Sequence, residues 1–134
     1  MFAFFALNKY FKYVVSSNVC DWRLTLGTFL FIDKPGKPGV PEIKNVSKNQ
    51  VTLSWTPPKD TGGCEITDYI VEYRAEEAFK WKRSTTEKIL GTIHTVKGLQ
   101  EQTTYQFRVA AVNKMGAGPY SEVTLPVKAE ERVG

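Results

Sequence analysis

The groups able to do chemistry are few in this 134-residue chain. One histidine, His94, two cysteines, Cys20 and Cys64, and an adjacent acid pair, Glu76 and Glu77, are the main candidates. A nucleophilic triad needs a base beside an acid and within reach of an exposed Ser or Cys. His94 alternates in phase with Val96 and reads as a half-buried strand residue. Cys64 lies in a different stretch, with no cationic neighbour beyond Lys59. Glu76 and Glu77 would point to opposite sides of a strand, so they read better as a turn. No Cys/His pairs have zinc spacing. No Gly-Lys-Ser/Thr phosphate cradle occurs, and Gly62-Gly63 reads as a turn. The residue types therefore predict a chain that is not an enzyme and holds no metal or cofactor.

Two cysteines make a poor disulfide framework. They lie in segments of different character, so both are expected as free thiols, which suits a reducing compartment. The net charge is only +4 and the signs are intermixed. The longest basic cluster is Lys80, Lys82 and Arg83, which reads as a solvated strand face whose lysines discourage edge pairing. No nucleic-acid partner is expected from it. No apolar run reaches the roughly 20 residues of a membrane helix.

The elements that must position these residues begin after a break in composition near Asp33. Residues 1–32 are dense in aromatics and lack proline. They are expected to lie outside the domain, disordered or helical, with Phe4, Leu7, Phe11 and Val14 able to share a helical face. A translated non-domain stretch is the preferred reading, with a weak export or anchor signal as the alternative. Pro35, Pro38 and Pro41 then recur every third residue, and residues 33–41 read as a semi-stiff lead-in and spacer. Residues 42–128 are expected to form the domain and 129–134 a tail.

Inside the domain, short stretches alternate with period two. Val51, Leu53 and Trp55 share a face, as do Tyr69, Val71 and Tyr73, and then Tyr105, Phe107, Val109 and Ala111. "FKWKRST" and "TIHTV" alternate in the same way, Pro57 and Pro58 close one strand, and Gly116, Gly118 and Pro119 turn the chain into the last. Seven strands in about 100 residues predict an all-β, antiparallel, immunoglobulin-like β-sandwich.

A sandwich explains the phenol at the head of the strand "YQFRVAAV". A tyrosine there packs its ring in the core and bonds its hydroxyl to backbone a few residues upstream, where Leu99 and "QEQTT" supply the loop. Trp55 and Tyr105 are expected to face each other from opposite sheets. Phe107 stands two residues after the tyrosine, where antibody-type domains carry a cysteine, so packing alone is expected to hold the core.

These residues resemble a fibronectin type III domain over Pro35 to about Val127. "SWTPPKDTGGCEITDYIVEYR" and "YQFRVAAVNKMGAGPYSE" are similar to the type III repeats of giant muscle proteins of the titin and twitchin kind. Trp55, Pro58, Gly62, Gly63, Ile66, Tyr69, Val71 and Glu72 match the first motif, and Asn113, Gly116 and Gly118 the second. Three residues depart from the pattern: Thr61, Cys64 and Gln102, which stands where a loop glycine is common. If that position keeps φ above zero, a side chain there costs about 1–2 kcal/mol.

The resemblance implies a structural core of Trp55, Tyr69, Val71, Leu99, Tyr105, Phe107 and Val109. It also implies a spacer and binding module along the thick filament of the sarcomere, in the cytoplasmic A-band. Neighbouring immunoglobulin-like and type III domains, and protein partners such as myosin or other thick-filament proteins, follow from it. Lys80, Lys82 and Arg83 are the candidate partner surface. The alternative is a module of an extracellular adhesion protein or cell-surface receptor, in which the sequon Asn45-Val46-Ser47 would matter.

Overall fold

Alternation of β-branched and aromatic residues with polar ones builds every long strand. In the computed structural model, which describes residues 33–131, Val51 and Leu53 are buried while Gln50, Thr52 and Ser54 between them are only partly so. The strands are β1 (Glu42–Val46), β2 (Gln50–Ser54), β3 (Asp68–Ala75), β4 (Lys82–Arg83), β5 (Ile93–Lys97), β6 (Thr104–Asn113), β7 (Gly116–Tyr120) and β8 (Val127–Lys128). One sheet has the order β1-β2-β5. The other runs β4-β3-β6-β7, with β8 also paired to β6. Every pairing is antiparallel.

Eight segments make seven strands, because β7 and β8 are pieces of one strand along β6. Between them, Ser121 and Thr124 keep the alignment. Their amides donate to the Val109 and Phe107 carbonyls at 2.7 and 3.0 Å. Their hydroxyls accept the Val109 and Phe107 amides, both at 3.1 Å. Side-chain oxygens thus stand in for the missing ladder carbonyls, so no buried amide of central β6 is left orphaned there.

The strand starts earlier than its glycines and proline suggest. Gly116–Tyr120 already pairs with β6, and the turn falls at Lys114 and Met115, where Asn113 Oδ1 accepts the Met115 amide at 2.8 Å. Conversely, the expected strand "FKWKRST" shrinks to Lys82–Arg83. Phe79 is 94% exposed and belongs to the hairpin loop.

The core is shared by both inner faces. Val51, Leu53 and Val96 come from one sheet, and Tyr69, Val71, Tyr105, Phe107, Val109 and Ala111 from the other. Phe107 is wholly buried where an antibody domain would have its cysteine. A side chain of that size contributes roughly 1.5–3 kcal/mol by leaving water.

Trp55 and Tyr105 are both buried, but they are not each other's ring partner. Trp55 meets Tyr69 edge-on, with centroids 5.4 Å apart, and Tyr105 meets Tyr73 in the same way at 5.8 Å. Tyr69 and Tyr73 are four positions apart on β3, or roughly 13 Å at strand rise. The indole and the phenol therefore anchor different ends of the core rather than its middle. The phenol oxygen accepts the Gln100 amide at 2.9 Å, which ties the β5–β6 turn to the head of β6.

The proline-spaced lead-in is docked on the body. Pro35, Pro38 and Pro41 are buried, while Lys34, Lys37 and Val40 between them face solvent. The period of three follows from an extended chain whose every third residue turns inward. Backbone amides of Asp33, Gly36 and Gly39 donate to carbonyls of Gly62, Asp60 and Thr56 at 2.7, 2.8 and 3.1 Å. Asn113 Nδ2 donates to the Asp33 and Thr61 carbonyls. A free spacer would make none of these bonds. At the other end Ala129 is buried and exchanges backbone bonds with Gln102 and Thr103, so ordered pairing runs past residue 128. The helical reading of Phe4, Leu7, Phe11 and Val14 lies outside the described residues.

Candidate functional site

The register of β3 on β6 places Glu72 opposite Arg108 on the outer face of the larger sheet. Arg108 Nη2 and Nε donate to one carboxylate oxygen of Glu72 at 2.6 and 3.0 Å. The same guanidinium lies 4.2 Å from the Trp81 ring centroid and 4.0 Å from that of Tyr120. Arg74 adds a second cation 4.9 Å from Trp81 and donates to Gln106 at 3.3 Å. Burial and a hydrogen bond to Glu72 raise the Tyr120 phenol above its usual pKa. Each cation–aromatic contact contributes about 0.5–2 kcal/mol. The arrangement clamps β3, the β4 hairpin, β6 and β7 together across their solvent side. Glu72 neutralises Arg108 and the Trp81 ring covers Arg74, so the arrangement stiffens the sheet instead of offering open charge to a ligand.

Lys80, Lys82 and Arg83 are all exposed. The structure does not gather them on one face. Lys82 pairs with Tyr73 and Arg83 with Glu72, so strand alternation sends their side chains to opposite sides of β4. Lys80 and Lys82 line one recess with Tyr73 and Tyr105, whereas Arg83 turns back to the Thr85 carbonyl at 3.0 Å. The surface positions missed from sequence are those of the stacked ladder, Trp81, Arg108 and Tyr120. Their outward phase was readable, but the register joining β3 to β6 was not.

His94 is half-buried on β5, and its Nε2 lies 2.8 Å from Ser84 Oγ. This bond joins the two sheets at their β4 and β5 edges. Burial, and then the charge of Lys97, push the imidazole pKa down. No carboxylate bonds the ring among the described residues, so the pair lacks the third group that orients a catalytic base. No cluster of three His, Cys, Asp or Glu able to hold a metal occurs among the described residues. No described helix is long and apolar enough to cross a membrane.

Cys64 corrects an expectation. It is 2% exposed and disulfide-bonded, and no described cysteine is a free thiol. The cysteine count therefore stops pointing to a reducing compartment. Cys20 lies outside the described residues. Asn45 of the sequon is exposed on the edge strand β1.

The family model of the fibronectin type III domain matches residues 36–127. The chain belongs to the fibronectin type III family. Drosophila melanogaster titin is 36% identical over 100 residues, 75% of this chain and, after rounding, 0% of that protein. Human cardiac-type myosin-binding protein C is 33% identical over 103 residues, 75% of this chain and 8% of its own length. Human roundabout homolog 3 is 35% identical over 97 residues, 72% of this chain and 7% of its own length. The solved structure of titin domains A168–A170 superposes with a TM-score of 0.70 at 40% identity, covering 74% of this chain and 33% of that one. This fibronectin type III chain thus spans under a tenth of the length of each of those three proteins. It is a structural module of a repeat-type family that includes muscle proteins, and the family it matches is not a catalytic one.

Proposed function

We propose that the chain supplies a non-enzymatic spacer and protein-binding module of a titin-like sarcomeric protein, placed along the thick filament in the A-band. The observation that carries this reading is the shared likeness to titin and to myosin-binding protein C over the whole domain. The architecture suits the role. The lead-in is held by backbone bonds and buried prolines, which limits bending at that end, and the clamped outer sheet resists splaying. Partners are thick-filament proteins, myosin among them, and neighbouring immunoglobulin-like and type III domains. Residues 33–41 act as a docked entry to residues 42–128, and Lys80, Lys82 and Arg83 mark the contact region.

The test is co-sedimentation of the whole chain with myosin filaments. The natural chain should pellet with filaments, and the triple variant Lys80→Glu, Lys82→Glu, Arg83→Glu should pellet several-fold less. Equal pelleting of both would remove the basic residues from the contact, and no pelleting of either would remove the thick-filament reading.

A second reading has specific support. The roundabout likeness, the bonded Cys64 and the exposed Asn45 fit a module of a cell-surface or adhesion protein. Expression in a secreting cell line separates the two. A glycosidase-sensitive mass increase that disappears in Asn45→Gln would favour the surface protein.

A further inference from the structure

Lys80 and Lys82 border a recess of about 260 Å³ between the β3–β4 hairpin and the β5–β6 turn. Its floor is aromatic, made by the edge-to-face pair Tyr73 and Tyr105. Lys80, Lys82, Gln100 and Thr103 line the recess as well. None of these four side chains has a partner among the described residues. The Tyr105 phenol accepts from Gln100, but its own proton has no acceptor there. No Asp or Glu lines the recess.

Two lysines with no acid opposite them, beside aromatic rings, suit an anion that carries some apolar surface. Phe79 sharpens the ligand class. It adjoins Lys80 in the chain, on the same hairpin, and is 94% exposed. A free anion leaves that ring uncovered, whereas a peptide can cover it. Glu76 and Glu77, also exposed on the hairpin, disfavour a run of negative charge.

The geometry points to a carboxylate-binding recess that takes one acidic side chain of an extended partner peptide, with an apolar neighbour of that residue covering Phe79. This deepens the reading of the chain as a protein-interaction module and rests on it. It also divides the basic trio: Lys80 and Lys82 border the recess, and Arg83 does not line it.

The test is a ¹⁵N–¹H NMR titration of the whole chain with the capped peptide Ala-Glu-Leu-Ala, its Ala-Gln-Leu-Ala counterpart, and inorganic phosphate. The acidic peptide should shift the Gly98, Gln100 and Thr103 amides saturably. The double variant Lys80→Glu, Lys82→Glu should weaken binding at least tenfold, and Arg83→Glu less than twofold. Phe79→Ser should weaken the peptide and leave phosphate unchanged. Equal binding of the Gln peptide, phosphate binding as tight as the acidic peptide, indifference to the double reversal, or no shifts at the recess would each overturn the assignment. Filament co-sedimentation that persists without peptide shifts would sink the recess alone. Peptide binding without co-sedimentation would sink the filament reading alone.

Discussion

Gln102 holds φ at 68° in the turn before β6, a region that side chains avoid. The turn keeps this geometry because the Gln102 amide donates to the Ala129 carbonyl at 2.7 Å, so the loop does not relax around the side chain. Gln102→Gly should raise stability by about 1 kcal/mol, or roughly 4–8 °C in midpoint for a domain of this size, read by thermal unfolding. His94 gives a pH dependence of definite sign. Its folded pKa is depressed, first by burial and then by Lys97. As pH falls, the unfolded chain takes up this proton before the folded one. The stability is therefore full above the ordinary histidine value, and it is lost as pH falls from there through the folded one. Urea midpoints across that window should decline for the natural chain, and His94→Gln should flatten the decline.

The interrupted last strand is where an element depends on two hydroxyls. Ser121→Ala and Thr124→Ala each orphan a β6 amide in the core, at a cost of about 1–3 kcal/mol apiece. Equilibrium urea unfolding of the single variants measures this, and losses under 0.5 kcal/mol would mean the amides find another acceptor. Such a device is hard to foresee. In "YSEVTLPV" the buried Ser and Thr follow no apolar alternation, and hydroxyl-for-carbonyl exchange leaves no periodic trace. β2, β3 and β6 were legible because each shows one apolar face over at least five residues. The two-residue β4 was overread, since Phe79 and Trp81 imitate an inward phase that the hairpin does not use. The Arg108 ladder was hidden for another reason. It depends on a pairing between strands 36 residues apart, which no local pattern encodes.

At the scale of the molecule, the lead-in and the body are one object. Gly118 and Gly62 make this close approach: a Cβ on Gly118 would fall 1.9 Å from the Pro35 carbonyl oxygen, and one on Gly62 would fall 2.1 Å from that of Asp33. Gly118→Ala should therefore lift the lead-in without unfolding the sandwich. Amide hydrogen exchange at Gly36 and Gly39 should speed up at least tenfold while Phe107 and Val109 stay protected. Unchanged exchange would mean β7 shifts instead. The prolines were read from sequence for their stiffness, and their burial was not, because a polyproline-like segment looks the same in solvent and on a surface.

Fastening of this kind has a mechanical corollary. A module pulled from its entry end would first unzip residues 33–41, bond by bond, before any sheet is sheared. Nine residues hold at most about 30 Å of contour. Each copy in a tandem array would thus carry a short reserve of slack that refastens when the load drops, leaving the sandwich intact.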